Sequence, residues 1–428
     1  MFQIPLFLPL GLLILSFAYG VAVQRFKLPP FGFVAEIERA ARWSVNRVPG
    51  NTSWYYPATD ATQMIVDSRP EPRAEALNML VSMQGGDTLS VGIMDMSGTM
   101  VHSWQIDWFD IWPDPEHLSE IKRPKSRPGT HIHGAQLFPN GDLVFNFEKL
   151  GMVRMGLCGE VQWKLPYRTH HSIEFDDDGN LWVAAQRDHP AGLANYPNHL
   201  APVSESMALL ISPEGAILRE ISLFEVLDRN DMRGYLYMPG GEVSNVVTAD
   251  AMHVNDIQPM PAALAYGDIE AGDLMVSMRN VSTVFIFDPD TLAVKFVRSG
   301  NFVRQHDPDF MDDGWISVYD NNWIGPDNYG QQSRIVAMSL DSQDNKVVYE
   351  GTSEAPFYSK IMGKTQWLDN GNLLIVESIK GRAFELNPAG EIVWEFFNII
   401  DDGKAGIVQE VKRLPASFNE IYSQASCE

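Results

Sequence analysis

HGAQLFPNG (residues 133–141), HSIEFDDDG (171–179) and HDPDFMDDG (306–314) are three copies of one unit, each with a histidine eight residues before a turn glycine. A stretched copy opens at His253 with HVNDIQPM; its Gly272 arrives late because a loop, roughly PAALAYGDIEA (261–271), is inserted. Each unit reads as a strand, an Asp/Asn-Gly turn and a second strand of the LVFNF, LWVAA or LMVSM type. That is the sequence signature of a β-hairpin. Its recurrence at intervals predicts a radial array, in which equivalent positions face one axis. Four imidazoles, from His133, His171, His253 and His306, are then expected to converge on one pocket.

Hairpin sets begin near Ala76, His131, His170, Met252, Gln305 and Met362. Six such sets predict an all-β, six-bladed β-propeller over residues 76–400, in which each sheet buries its faces against its neighbours. A sandwich would explain the alternation but not a fixed His-to-Gly register. Three segments share a second signature, a turn glycine followed by alternation that ends in tryptophan and aromatic residues: GTMVHSW (98–104), GEVQW (159–163) and GEIVWEF (390–396). Insertions at 187–204, 224–247 and 261–271 are expected to form loops over one face, and the last of them to reshape the pocket between His253 and Arg279.

The chain has 428 residues and a formal net charge of −23. That balance excludes nucleic acid as a partner, since phosphate binding needs a basic face. An anionic substrate would be repelled at long range and would need local Arg and His compensation. From Phe2 to Val23 there is no charged residue, long enough to span a bilayer core of about 30 Å. The reading is an N-terminal transmembrane helix over 1–24, left uncleaved, then a partly helical connector over 25–75 that includes VAEIERAARWSV (34–45), and a tail over 401–428 with one helix-compatible piece. Arg25, Lys27, Arg39, Arg42 and Arg47 follow the span, and the positive-inside rule would put that side in the cytoplasm. Only Cys158 and Cys427 are present, which excludes a disulfide framework and leaves either one bridge or two free thiols. Cys158 lies in a glycine-rich turn without a neighbouring catalytic pattern and is not read as a nucleophile.

Two chemistries suit a histidine ring with an arginine beside it. In covalent group transfer, a neutral imidazole nitrogen attacks an electrophile while an acceptor holds the other nitrogen. Arg279 would hold the oxyanions of a sulfuryl or phosphoryl group through its planar donors. In metal binding, three or four histidines would ligate zinc, iron or copper. Arg279 favours the first, because a cation beside a metal is unfavourable unless it holds an anionic ligand. A non-enzymatic propeller that binds a partner or a glycan is the third reading.

AMHVNDI (251–257), DLMVSMRNVSTVFIFDPDT (273–291) and QHDPDFMDDGWISVYDN (305–321) resemble the bacterial arylsulfotransferases, six-bladed propeller enzymes that work without the nucleotide sulfate donor. The resemblance implies transfer of a sulfuryl group from an aryl sulfate donor to a phenolic or other hydroxyl acceptor, through a sulfohistidine and with no cofactor or metal. By motif, His306 corresponds to the nucleophile, His171 and His253 to its supporting histidines, and Arg279 to the sulfate-binding arginine. His170 competes with His171 for its role, although the register favours His171. His133, His170 and Asn255 are candidates for contact with substrate. Family members act outside the cytoplasm, so the resemblance sets the expectation of a periplasmic or extracytoplasmic propeller against the charge rule. Secreted members carry a closely spaced disulfide and an extra N-terminal β-domain that supports dimerisation; Cys158 has no second cysteine nearby and no such domain is expected here, and the oligomeric state is left open.

Overall fold

The structure, a computed structural model, describes residues 7–26, 57–67, 76–86, 89–238, 247–248, 250–325, 330–424 and 427. The chain divides into two units, residues 1–54 and 55–428. In the first, a helix spans Phe7–Phe26, with Leu13, Ile14, Leu15 and Phe17 exposed. Among the described residues, no helix is long and apolar enough to cross a membrane. The uncharged run that led to the anchor reading extends beyond the described residues, and so does the helix-compatible stretch at 34–45.

The second unit is a six-bladed propeller. Its second to sixth blades each wind outward through consecutive antiparallel strands, and their innermost strands are Ile132–Leu137, Arg168–Phe175, Val254–Pro259, His306–Met311 and Lys364–Trp367. The turns explain why this sequence folds so. In the third blade the amide N–H groups of Asp178 and Asn180 donate to Asp176 Oδ1, at 3.0 and 2.8 Å, and Gly179 takes the left-handed conformation (φ 81°) that closes the hairpin.

The first blade is assembled differently. Leu77–Ser82, Leu89–Asp95 and Met100–Ile106 lack an inner strand of their own and receive Val408–Arg413, with Leu80 opposite Val411. The innermost strands of all six blades then contact one another in a closed ring. This moves the expected boundaries: the propeller runs past residue 400 into what the sequence suggested was tail, and Ile65–Asp67 of the expected connector adds a fifth strand to the sixth blade. Beyond the closing strand, the helix Ser417–Gln424 buries Phe418 and Tyr422 among residues of the first two blades, and Cys427 is disulfide-bonded to Cys158. Of the two states left open for the cysteines, the bridge is the one present.

The tryptophan signature acquires a physical meaning here. Trp104, Trp163 and Trp394 lie on the fourth strands of their blades, and each donates its indole N–H to a carbonyl in a turn of the next blade: Gly156 (2.9 Å), Pro213 (2.8 Å) and Met96 (3.1 Å). Each ring fills the seam between two sheets while its one polar atom is satisfied. The insertion at 261–271 lies at the turn end of its hairpin. Tyr266 covers Gly314 of the fifth blade and donates to Asp341 Oδ2 at 2.9 Å. The expectation that this loop reshapes the histidine pocket is therefore corrected, because the histidines occupy the opposite, open ends of the hairpins. The 224–247 stretch is also less of a loop than expected: Leu223–Arg229 is a helix whose N-cap, Ser222, accepts from the Glu225 amide at 3.2 Å.

Trp104→Phe should strip the Gly156 carbonyl of its indole donor, leaving it the Gly159 amide at 2.9 Å, and leave the seam underfilled. The expected cost is about 2 kcal/mol or more, read as a lowered denaturation midpoint. An unchanged midpoint would show that the indole does not tie the blades together.

Candidate functional site

His306 opens the inner strand of the fifth blade, and its Nδ1 lies 2.6 Å from Asn321 Oδ1, at the end of the paired strand. The orientation of that amide follows from its other bonds. Asn321 Nδ2 donates to the carbonyls of Ser359 (2.8 Å) and Met362 (2.7 Å), so Oδ1 must face the imidazole and His306 Nδ1 must carry the proton. Nε2 is then the unprotonated nitrogen, and it accepts a long hydrogen bond from the Met362 amide at 3.3 Å. Burial, and next the nearby Arg279 charge, hold the imidazole well below its ordinary range, so it is neutral.

The other ring members are oriented in the same manner. His253 Nδ1 donates to Asp250 Oδ2 at 2.8 Å, and Asp250 Oδ1 accepts from the His253 amide at 3.2 Å. Burial lowers the His253 pKa, and the opposing pull of Asp250 does not reverse this. His133 Nδ1 is hydrogen-bonded to Glu148 Oε2. Lys149 bridges the two carboxylates, 3.0 Å from Asp250 Oδ2 and 3.8 Å from Glu148 Oε1. Burial alone would raise both acids; Lys149 and the histidines outweigh it and keep both well below the usual carboxylate range.

His171 stands in the middle. Its ring centroid is 3.9 Å from that of His133, 5.3 Å from His253 and 6.5 Å from His306. His170 touches it from behind, with the two Nδ1 atoms 2.7 Å apart, so one donates and the other accepts. Burial, followed by Lys149, pushes His170 down to about 3, and burial also holds His171 well below its ordinary value. His171 and His253 adopt positive φ (61° and 50°), a conformation that β-strands do not supply, and this turns their rings into the cluster.

Arg279 closes the constellation. Its amide donates to the His253 carbonyl at 3.1 Å, the cross-strand position on the same hairpin. Its guanidinium makes one long bond, Nη2 to Asn280 Oδ1 at 3.3 Å, and its buried Nε has no partner among the described residues. No carboxylate lies within ion-pair distance of it among the described residues. Burial, with Arg304 adding to it, lowers Arg279 to about 10, which leaves it protonated at neutral pH. Asn255 is fixed by donation from Nδ2 to the Gln305 carbonyl at 2.8 Å, and its Oδ1 is buried without a partner in the wall of the axial cavity.

Glu148, Asn321 and Asp250 escaped the sequence reading, although a signal for the first two was present. Glu148, Arg279 and Asn321 each stand seven residues after a turn glycine (Gly141, Gly272 and Gly314). A histidine at minus eight and a polar residue at plus seven are cross-strand neighbours at the open end of the hairpin, so a second fixed register accompanies the first.

Below the ring, the axis is filled by charge. Lys364 donates to Ser172 Oγ (2.5 Å) and Asp307 Oδ1 (2.6 Å) and lies 3.5 Å from Asp256 Oδ2. Burial raises Asp256 to about 7 against the pull of Lys364, and burial also raises Asp309 and Glu410. The cavity left between this network and the histidines is about 20 Å³, room for a water molecule and not for an aryl ring. Any aromatic substrate must therefore approach from the histidine side. His131, His133 and Glu148 have ligand atoms within 4.8 Å of one another, the spacing at which a metal could be held, but His171, His253 and His306 are outside that group.

A match to the arylsulfotransferase (ASST) family covers residues 134–399, more than half of the chain and most of its second to sixth blades. The chain belongs to the arylsulfotransferase family. Among solved structures, this arylsulfotransferase-family chain is similar to a protein of unknown function from Bacteroides caccae (14% identity, TM-score 0.48, covering 79% of this chain and 99% of that one). It is also similar to virginiamycin B lyase from Staphylococcus aureus (13%, 0.38, 67% and 84%) and to a streptogramin B lyase (9%, 0.43, 82% and 97%). No curated protein matches it.

His170 provides a test of the neutral ring. Its depressed pKa means that the unfolded chain binds a proton below about pH 6.5 that the folded chain refuses until about pH 3. Stability contributed by neutral His170 is therefore present above pH 6.5 and is lost as pH falls through that window, by about 1.4 kcal/mol per pH unit. His170→Asn, which can still bond to His171, should show a shallower acid loss of stability than the unsubstituted protein. Parallel stability–pH curves would contradict the buried, neutral assignment.

Proposed function

We propose that the protein is a sulfotransferase that moves a sulfuryl group from an aryl sulfate ester to a phenolic or other hydroxyl acceptor through a sulfohistidine at His306. The carrying observation is the pairing of a neutral imidazole, whose Nδ1 proton is committed to Asn321, with a partly buried arginine that has no carboxylate partner among the described residues. The first is a nucleophile by construction and the second is a vacant seat for an anion.

In the first half-reaction Nε2 of His306 attacks sulfur, the ester S–O bond breaks, and its electron pair leaves with the phenolate oxygen. Arg279 holds the sulfuryl oxygens while negative charge builds on them. The Asn321 carbonyl, accepting from Nδ1–H, stabilises the positive charge that the ring acquires. In the second half-reaction the acceptor oxygen attacks sulfur, and the bond from sulfur to Nε2 breaks and returns its pair to the ring. His253 Nε2 accepts the acceptor's proton, and Asp250 at Nδ1 supports the imidazolium so formed. His171, between them, and His133 at its side complete the polar wall.

We further place the catalytic unit on the oxidising side of a membrane, anchored by the uncharged run Phe2–Val23. The Cys158–Cys427 bridge supports this reading, because such bonds persist outside the reducing cytosol.

Incubation with 4-nitrophenyl sulfate, followed by rapid quenching and peptide mass analysis, should give one SO3 adduct on His306. Absence of an adduct, in protein that binds the ester, would overturn the mechanism. His306→Ala should abolish both adduct and turnover, and Arg279→Met should lower kcat by about 10²–10³. Asn321→Leu, which frees Nδ1 and releases the tautomer, should lower kcat by about ten- to a hundredfold with the fold intact. An unchanged kcat would mean that the amide does not position the nucleophile.

A further inference from the structure

Four cations surround the histidine ring, and they fall into two kinds. Lys149 and Lys364 each have carboxylate partners. Arg279 and Arg304 have none among the described residues, in a chain with 55 acidic residues against 32 lysines and arginines. In so acidic a protein a cation finds a carboxylate readily, so two neighbouring arginines without one are informative.

Arg304 is tied to the Arg279 turn. Its amide donates to Ser282 Oγ at 3.1 Å, and Ser282 caps the short helical turn Arg279–Val281 in the left-handed conformation. Arg304 itself has φ 56° and stands two residues before His306. Its guanidinium lies over the ring of Trp323, 4.8 Å from the centroid, and the residue after that tryptophan, Ile324, is exposed. Stacking on the indole fixes the guanidinium plane and leaves its edge donors available. The two arginines also repel each other in a partly desolvated site, and Arg304 follows burial as a cause of the lowered Arg279 pKa. A sulfate ester carries one negative charge and can compensate only one of them.

We propose that Arg304, mounted on Trp323, is a second anion subsite, and that the preferred substrates are aromatic sulfate esters or phenols with an additional anionic group, such as a carboxylate, on the ring. This rests on the sulfuryl-transfer reading of Arg279 and His306 and adds the substrate class to it. The geometry assigns the sulfate to Arg279, the second anion to Arg304, and the aryl ring to the space outside the small axial cavity, beside Trp323 and Ile324. Such a dianion would be repelled by the net charge of −23 at long range, and local compensation by two arginines is what its capture requires.

The test separates binding from turnover. In a His306→Ala background, which cannot form the adduct, calorimetry should show 4-carboxyphenyl sulfate binding about tenfold more tightly than phenyl sulfate, the discrimination expected of one charge-assisted contact. Arg304→Met in that background should bring the ratio towards one. Arg304→Lys, which keeps the charge but not the fork, should restore part of it. Equal affinities of the two esters in the parent, or a ratio unchanged by Arg304→Met, would overturn the subsite. Failure of native protein to form the SO3 adduct would count against the transfer reading alone, because the affinity ratio does not depend on it.

Discussion

Each ring histidine is placed by the register of its hairpin, and that register is set at the far end by a turn. Once Gly141 and Gly314 close their turns, the antiparallel ladder and a bulge in each inner strand bring residue minus eight diagonally across from residue plus seven, which is how His133 meets Glu148 and His306 meets Asn321. A slip of one residue would send every inner side chain to the opposite face. The orientation of His306, the tautomer it adopts and the arginine beside His253 therefore all depend on turns at the other end of the molecule.

The electrostatics follow from burial more than from net charge. Although the chain is strongly acidic, the ring histidines His171, His253 and His306 are neutral because desolvation outweighs their neighbours. Carboxylates near them are spent on orientation, with Asp250 and Glu148 bridged by Lys149. Lower on the axis, Lys364 serves Asp307 and Asp256, and protonation relieves part of the remaining acid. The consequence is a division of labour along the axis: neutral imidazoles, and arginines without a carboxylate partner among the described residues, where the cluster opens, paired charge beneath.

Much of this was legible in the sequence, for physical reasons that differ from residue to residue. Period-two alternation and Asp/Asn-Gly turns are local, so the inner hairpins and the shared place of four histidines could be read directly. Arg279 was read beside the ring from its place on the second strand of the His253 unit, and the family resemblance added only the expectation that it binds sulfate. Asn321 and Glu148 obey an equally regular spacing, but they differ chemically, and a register filled by unlike residues is harder to notice than one filled by histidine. The closing strand Val408–Arg413 was hidden because its partner, Leu77–Ser82, lies more than three hundred positions away, and no local pattern encodes that pairing. The role of the tryptophans was hidden for a similar reason, since each indole finds its carbonyl in another blade.

The split first blade bears on how the molecule comes into being. During synthesis Leu77–Ser82 emerges early and Val408–Arg413 only after the other blades, so the early strand waits with one unsatisfied edge throughout. An edge of that kind is open to wrong partners, including the same edge of another nascent chain. The helix Ser417–Gln424 and the bond from Cys427 to Cys158 lie just beyond the late strand and fasten it to the second blade once it has arrived. Oxidation then acts as a latch on a completed ring, and it makes the last step of assembly the one least easily reversed.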